Sequence, residues 1–581
     1  MRLSRVRFAG VVVAIGLFGA YVYLSRDGAR TPSPGGASPK RGGQIVASVR
    51  SEPRSFTRLT SRDQMAELLT ILTQGRLVRI NRATFELEPW LADRWESSPD
   101  GLVHTFHLRQ GLVWSDGQPL TSADVVFSVT AAFDPRVKSP MASMLLAGGR
   151  PIRASAPDPA TVVVTFAGPH GPGVRLLDML TVLPRHKLGA ALADGTLASA
   201  WGSQTPPAEI VGSGPFVLRS YEPGQRLVLD RNPRYWRKAP DGGTLPYVDQ
   251  LVLEIVPDQN AELIRLQAGS VDLTGSEIRP DDYVPLRRAE EQGRIRLVEL
   301  GVGTDVDTLW FCLKPEVRRQ DPRFAFVQRP EFRQALSHAV DREAFAQEVF
   351  LGEAVPVWGP VTPGNRTWFT PNLPRYPHDL ARAKALLASI GLEDRNGNGI
   401  VEDTKGTEAR FTLITQRGLL SYERGAAVLR EHAAQAGIVF DIAGLEVNAL
   451  VTQMLACNYD AIYFRPQATD LDPAGNLDLW LSSGSAHFWN LSQATPATEW
   501  ERRIDTLMLE QAATVDEAQR RATFTDVQRI LAENLPALQF AAPRLYVAHS
   551  ARLSGVVPSV MRPPVLWSAD TLSLTTVDAG R

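Results

Sequence analysis

An α/β fold built as two or more lobes is what this chain predicts, on three observations. The first is length: 581 residues exceed what one hydrophobic core holds, since single cores stop growing near about 250–300 residues. The second is order, because short strand-like segments alternate with helix-like ones along most of the chain. The third is composition, with 44% hydrophobic and 22% charged residues, the balance of a folded globular protein.

The elements follow in chain order. Arg2, Arg5 and Arg7 precede an apolar run over residues 8–24. That run is near the short limit for a bilayer-spanning helix and longer than the apolar core of most cleavable signal peptides. Residues 1–24 are therefore expected to be an uncleaved anchor, with the arginines inside and the body outside. A cleaved signal is the alternative, and either one exports the chain. Residues 25–43, SRDGARTPSPGGASPKRGG, form a Ser/Pro/Gly-rich tether with no means of burying a core.

Strands are predicted at residues 44–49, 162–166, 227–230, 251–256 and 295–300, then at 411–415, 439–442 and 459–464. Helices are predicted at 123–132, 260–268, 331–339, 342–350, 380–390, 425–436 and 517–533. Gly391 and Gly437 stand where a helix C-terminus favours a left-handed residue. The local signals agree best over residues 95–130, WESSPDGLVHTFHLRQGLVWSDGQPLTSADVVFSVT. There Leu102, His104, Phe106 and Leu108 share one strand face, Asp116-Gly117 supplies a turn, and Thr121 with Asp124 has the pattern of a helix capping box.

That segment resembles the signature of the extracytoplasmic solute-binding proteins of peptide ABC transporters, the oligopeptide- and dipeptide-binding family (family 5). Three further segments extend the resemblance in the family's order. Residues 211–237, VGSGPFVLRSYEPGQRLVLDRNPRYWR, resemble its Gly-x-Gly-Pro-Phe strand and Asn-Pro-x-Tyr-Trp turn. Residues 330–356 resemble its paired helices, and 376–403 its helix-glycine-loop segment. Trp114, Phe216, Tyr235 and Trp236 within these segments read as core and turn packing.

The resemblance implies a periplasmic-binding-protein-like fold of two α/β lobes joined by a hinge, with a small extra subdomain on lobe I. Lobe I is expected over 44–303, its subdomain within about 85–200, lobe II over 304–534, and a return to lobe I over 535–581. Hinge strands are expected near 308–313 and 537–541. The implied partners are a peptide ligand enclosed between the lobes and an ABC permease in the membrane, with the protein itself a monomer. Other members of the family take nickel chelates, oligosaccharides, opines or haem, so those ligands stay open. A sensor or chaperone role on the membrane is a third reading.

A cleft that accepts many peptides must hold their shared groups: main chain, α-amine and carboxylate. A buried ammonium needs a carboxylate partner, and a carboxylate is well met by arginine. By resemblance, Asp470 is the candidate for the amine, in a loop with Asp472-Pro473 that departs from the family's pattern. Its spacing is one residue shorter, and Arg465-Pro466 stands where an aromatic is usual. Arg417 is placed like the arginine that meets the ligand carboxylate in dipeptide binders. Trp368, Trp480, Phe488 and Trp489 lie in loops of the same half and are candidates to line a side-chain pocket, with core packing as the alternative.

Residues 394–403, DRNGNGIVED, carry Asp394, Asn396 and Asn398 followed by Gly399, matching positions 1, 3, 5 and 6 of a calcium loop. Ile400 offers a carbonyl at position 7 and Glu402 a carboxylate at position 9. Position 12, a bidentate glutamate in such loops, is Lys405. The expectation is a truncated structural calcium site closed by Glu402 or Asp403, with a polar hairpin as the alternative. No other cofactor is expected.

Catalysis is not expected. No His-Glu-x-x-His, Gly-x-Ser-x-Gly or Walker pattern occurs, and His104 and His107 point to opposite strand faces. An exported hydrolase is the alternative class. A formal charge of −1, from 62 basic and 63 acidic residues, gives no electrostatic reason to expect nucleic acid. The two cysteines, Cys312 and Cys457, exclude a cysteine-built zinc cluster. They are open to pairing in an oxidising compartment or to burial as small apolar residues.

Overall fold

The computed structural model describes residues 39–318, 320–466 and 471–575. The anchor segment 1–24, most of the tether and Asp470 lie outside the described residues. No helix among the described residues is long and apolar enough to cross a membrane.

Two sheets carry the two lobes. The first has eight strands, in the order Phe216–Glu222, Arg226–Arg231, Gln250–Ile255, Gln44–Val49, Leu273–Thr274, Ala541–Ser550 and Ile295–Val302, with Ala354–Pro356 also paired to Ala541–Ser550. Gln44–Val49 and Gln250–Ile255 run parallel with Ile45 opposite Leu251, and their alternate side chains Ile45, Ala47, Leu251 and Leu253 are buried. The second sheet has five strands, in the order Val439–Leu445, Arg410–Gln416, Ala461–Phe464, Thr308–Phe311 and Ala537–Gln539. Its core is aromatic, with Phe311, Phe332, Phe411 and Phe440 in mutual edge or tilted contact. A smaller antiparallel sheet, Ala92–Ser97, Val103–Leu108, Thr161–Thr165 and Arg153–Asp158, packs on the helix Ser122–Phe133. The Thr121 N–H donates to Asp124 Oδ2 at 2.8 Å at the start of that helix, and Gly117 makes the preceding turn at φ +90°.

Predicted elements recur with informative shifts. The helix predicted at 425–436 spans Leu420–Gln435. Gly425, a poor helix former, obscures its first turns; a side chain there would strike the Tyr463 ring on the sheet below. The strand predicted at 459–464 begins only at Ala461. Tyr459 leaves the ladder instead, its hydroxyl accepting from Trp310 Nε1 at 3.0 Å and donating to the Phe488 carbonyl at 2.9 Å.

The chain passes between the sheets at Asp307 and Phe540. Phe540 N–H donates to Asp307 O and Asp307 N–H to Ala541 O, each at 3.0 Å. Ala354–Pro356, placed with the second half by sequence, pairs with Ala541–Pro543 in the first sheet, so a third segment crosses here. Asp307 is fully buried and bound by Arg465, Nε to Oδ1 at 3.0 Å and Nη2 to Oδ2 at 3.1 Å. Arg465 thus stands where an aromatic is usual because it neutralises a hinge carboxylate. Cys312 and Cys457 are both buried and form a disulfide, Cα–Cα 5.7 Å. It ties the end of Thr308–Phe311 to the approach of its neighbour Ala461–Phe464.

Candidate functional site

A cavity of about 800 Å³ lies between the lobes and is lined from both, with Trp310, Thr308 and Gln539 of the crossing segments in its lining. Its second-lobe wall begins at Asp472. This residue caps the short turn Pro473–Asn476, accepting from Ala474 N–H at 3.0 Å. It also binds Arg520 of the helix Glu517–Asn534 through two contacts of 2.5 and 3.0 Å. Both partners are buried, so each satisfies a charge that burial alone would make costly.

The wall continues through Trp480 to Phe488 and Trp489. Trp480 sits edge-on to Phe524 at 5.2 Å, Phe488 stacks on Trp310 at 5.6 Å, and Trp489 lies 4.2 Å from the His487 ring. His487 is itself buried against Glu501, 3.3 Å away. These contacts fix three aromatic faces at the cavity.

The first-lobe wall combines the aliphatic side chains of Ile80, Met144, Leu146, Leu176 and Met179 with Arg62, His170 and Arg175. An ionic cluster backs it. Glu67 meets Arg58 and Arg76 at 2.8 Å each and Arg82 at 2.5 Å, and Arg76 also meets Asp178 at 3.2 Å. Asp178 in turn accepts the Ile80 N–H at 3.0 Å. Burial opposes ionisation of Glu67, but the three guanidinium groups outweigh it and hold the carboxyl well below the usual carboxylate range.

The loop at 169–172 closes the cavity against the second lobe. Gly171 N–H donates to Ala512 O at 2.6 Å, at the end of the helix Glu499–Ala513. A side chain at Gly171 would stand 2.5 Å from Arg520 Nε and 2.7 Å from Thr514 O, so the approach requires glycine. Beside it His170 is partly buried, and burial lowers its imidazole to about 4. Asp472 pulls that value up, while Arg520 and His104 press it down. The lobes also meet through Arg424 and Asp281 at 2.5 Å, and through Arg366 Nη2, which donates to Ala83 O at 2.7 Å.

Of the residues singled out by sequence, Trp480, Phe488 and Trp489 come together at the cavity. Trp368 does not line it; 6% exposed, it packs edge-on to Phe524 at 5.9 Å with the Arg520 guanidinium 4.9 Å from its ring. Arg417 is exposed just past the strand Arg410–Gln416, outside the cavity lining. Asp470 lies outside the described residues, although its neighbour Asp472 is in the wall. The loop from Asp394 through Asn396, Asn398 and Ile400 to Glu402 is a hairpin outside the lining. Among the described residues no three His, Cys, Asp or Glu side chains gather as a metal site. Sequence reasoning missed Met144, Met179, His170 and Gly171. The Pro169-His170-Gly171-Pro172 run signalled a loop, but nothing local says which helix that loop meets.

Comparison with known proteins places this geometry. The family model of the bacterial extracellular solute-binding proteins, family 5 (middle region), matches residues 86–488. The "Probable ABC transporter-binding protein" of Deinococcus radiodurans is 26% identical over 518 residues, 84% of this chain and 85% of that protein. The oligopeptide-binding protein AppA of Bacillus subtilis is 25% identical over 465 residues, 79% of each chain. Its structure in complex with a nonapeptide aligns with a TM-score of 0.69 over 93% of this chain and 100% of that one. The ABC transporter substrate binding protein CtaP of Listeria monocytogenes aligns with a TM-score of 0.76 at 23% identity, over 92% of this chain and 100% of that one. These structures share the two-lobed α/β fold.

Proposed function

The chain belongs to the bacterial extracellular solute-binding proteins of family 5, and on that premise we propose that it captures peptides between its lobes and delivers them to an ABC permease. In this reading it is a binding protein and not an enzyme, works as a monomer, and is held at the outer face of the cytoplasmic membrane by residues 1–24. Lobe I comprises 44–303 with its subdomain and takes in the strand Ala354–Pro356. Lobe II comprises the rest of 304–534 and extends past the expected boundary at 535 through Ala537–Gln539, and the return to lobe I begins at the Phe540 crossing.

The observation that carries the reading is the cavity. Its volume, about 800 Å³, lies within the range of sites that enclose a small ligand. The buried carboxylate in its wall, Asp472, is paired with Arg520, and the lining joins broad aliphatic and aromatic surface to the charged side chains of Arg62, Arg175 and Asp478. Apolar contact and main-chain hydrogen bonding tolerate many side chains, and the charged groups suit the termini that all peptides share. Asp470, two residues before Asp472, meets the peptide amine in this reading. Ligand that touches both walls favours the closed arrangement through its differential contacts.

Native mass spectrometry of the full-length protein, purified in mild detergent without denaturant and then released in acid, tests the reading. A ladder of co-purified peptides is expected. A single non-peptide mass, such as a metal chelate, haem or an oligosaccharide, would keep the transport role and overturn the substrate. If the protein emerges empty, a thermal-shift screen with peptides decides: no stabilisation by any peptide pool would sink the proposal.

A further inference from the structure

The loop between the helix Leu380–Ser389 and the strand Arg410–Gln416 contains a buried carboxylate oxygen that no described residue neutralises. Glu393 and Glu402 close the loop by reciprocal main-chain bonds of 3.1 and 3.0 Å. Inside it, Asp394 Oδ1 accepts from Gly397 N–H at 2.8 Å and Asn398 N–H at 3.1 Å, and Oδ2 accepts from Gly399 N–H at 2.9 Å. These bonds wrap the chain around the Asp394 carboxylate. Gly397 and Gly399 take φ of +78° and +85°, which side chains resist.

Glu402 is 3% exposed, at the buried base of a loop whose residues 393–399 are exposed. Its Oε1 accepts from Arg395 N–H at 2.9 Å, which aims the carboxylate into the loop. Its Oε2 is buried with no hydrogen-bond partner among the described residues. The guanidinium of Arg395 does not supply the missing charge, because it is turned to Glu393 at 3.1 Å and to the Gly391 carbonyl at 3.2 Å. An anionic oxygen taken out of water without a partner is costly, and a cation in the loop removes that cost.

We propose that this loop binds one calcium ion, held by the side chains of Asp394, Asn396, Asn398 and Glu402 and the carbonyl of Ile400, with water completing the shell. The donor set is all oxygen and carries two carboxylates, which suits a hard cation and not a thiolate- or imidazole-seeking transition metal. The Asn398 amide is already oriented to ligate. Its Nδ2 donates to Glu408 Oε1 at 2.8 Å, leaving Oδ1 on the loop side, where it accepts from Ile400 N–H at 2.8 Å. A ring of five protein ligands with loose spacing fits calcium better than magnesium, which demands near-ideal octahedral geometry. With Lys405 in place of a closing glutamate, the affinity is expected in the range of extracellular modules, Kd on the order of 10⁻⁴–10⁻³ M.

The ion's role is structural. Val401 N–H donates to Gly437 O at 3.0 Å, so the loop is fastened to the turn between the helix Leu420–Gln435 and the strand Val439–Leu445. None of its residues lines the interlobe cavity, and the proposal is independent of which ligand the cavity takes.

Thermal unfolding of the full-length protein, freed of divalent ions with EGTA and desalted, tests it against CaCl2 and MgCl2 through the millimolar range. Calcium is expected to raise Tm with a single saturating curve, and magnesium at equal ionic strength to do markedly less. Glu402→Gln and Asp394→Asn are expected to abolish the calcium response. Should either misfold, Asn396→Ala at an exposed position is expected to move the midpoint to about tenfold higher calcium. A calcium response undiminished in these variants, an equal response to magnesium, or no response in the wild type overturns the proposal. Retention of co-purified ligand by the variants separates failure here from failure of the transport reading.

Discussion

The apolar surface of the first-lobe wall is aliphatic, from Ile80, Met144, Leu146, Leu176 and Met179, whereas the second-lobe wall presents Trp480, Phe488 and Trp489. Methionine adapts its shape to a neighbour at little cost; packed aromatic rings keep theirs. One wall therefore yields and the other holds, an arrangement suited to ligands that share a main chain and differ in side chains. The support behind each wall differs too. Glu67 sits among three arginines, so losing one leaves the carboxylate neutralised. Asp472 forms a buried ion pair with Arg520, and the second lobe adds the Cys312–Cys457 disulfide. A carboxylate among three guanidinium groups stands behind the adaptable wall, and a buried ion pair with a disulfide behind the fixed one.

That contrast is most sharply broken at Arg520. Arg520→Ala removes one partner of a buried ion pair and is expected to cost about 3–5 kcal/mol, read from the denaturant midpoint. Arg58→Ala, with Arg76 and Arg82 still in place, is expected to cost about 0.5–3 kcal/mol. Equal losses would show that the two supports do not differ. Next in size, the double change Cys312→Ser with Cys457→Ser is expected to lower stability by about 2–4 kcal/mol. Calorimetry should then resolve a second-lobe transition ahead of the first; a single unshifted transition would contradict it.

Closure itself is tested at Gly171. Gly171→Val is expected to weaken ligand binding about tenfold or more, equivalent to about 1.4 kcal/mol, while leaving the Tm of ligand-free protein nearly unchanged. Unaltered affinity would mean that the contact with Ala512 is incidental. The same loop carries a pH dependence. Burial holds the His170 imidazole at about 4 in the folded protein, against about 6.5 when unfolded. As pH falls, the unfolded chain takes up that proton first, so stability declines between about 6.5 and 4 and levels off below. The groups facing His170 are Asp472, Arg520 and His104, and His170→Gln should flatten the decline in that window. The smallest effect is expected from Met179→Leu, a volume-conserving swap costing less than about 1.5 kcal/mol. Its signature is a narrower range of co-purified ligands, and an unchanged range would remove the case for an adaptable wall.

Much of this was legible in residue patterns. The strand at Gln44–Val49, the helix Arg342–Phe350 and the long helix Glu517–Asn534 keep their predicted bounds closely, because local propensity and capping, here by Asp341 and Asp516, act within a few residues of one another. Ala354–Pro356 was not legible, since its pairing with Ala541–Pro543 joins segments almost two hundred residues apart in the chain. Arg465 looked like a departure from pattern until Asp307 was found beside it. Trp368 and Trp480 were alike as loop tryptophans; both are 6% exposed and packed on Phe524, yet Trp480 lines the cavity and Trp368 does not.

The sequence by itself determined the α/β class and the order of most elements, because those rest on local propensity and hydrophobic period. It also supplied the oxygen-rich loop from Asp394 to Glu402. Tertiary structure alone decided that Asp472 is bound to Arg520, that Cys312 and Cys457 pair, that Gly171 meets Ala512 and that Glu402 is buried with an unmatched oxygen. Each of those depends on the distance between residues far apart in the chain and on how much water remains between them, and neither is set by local pattern.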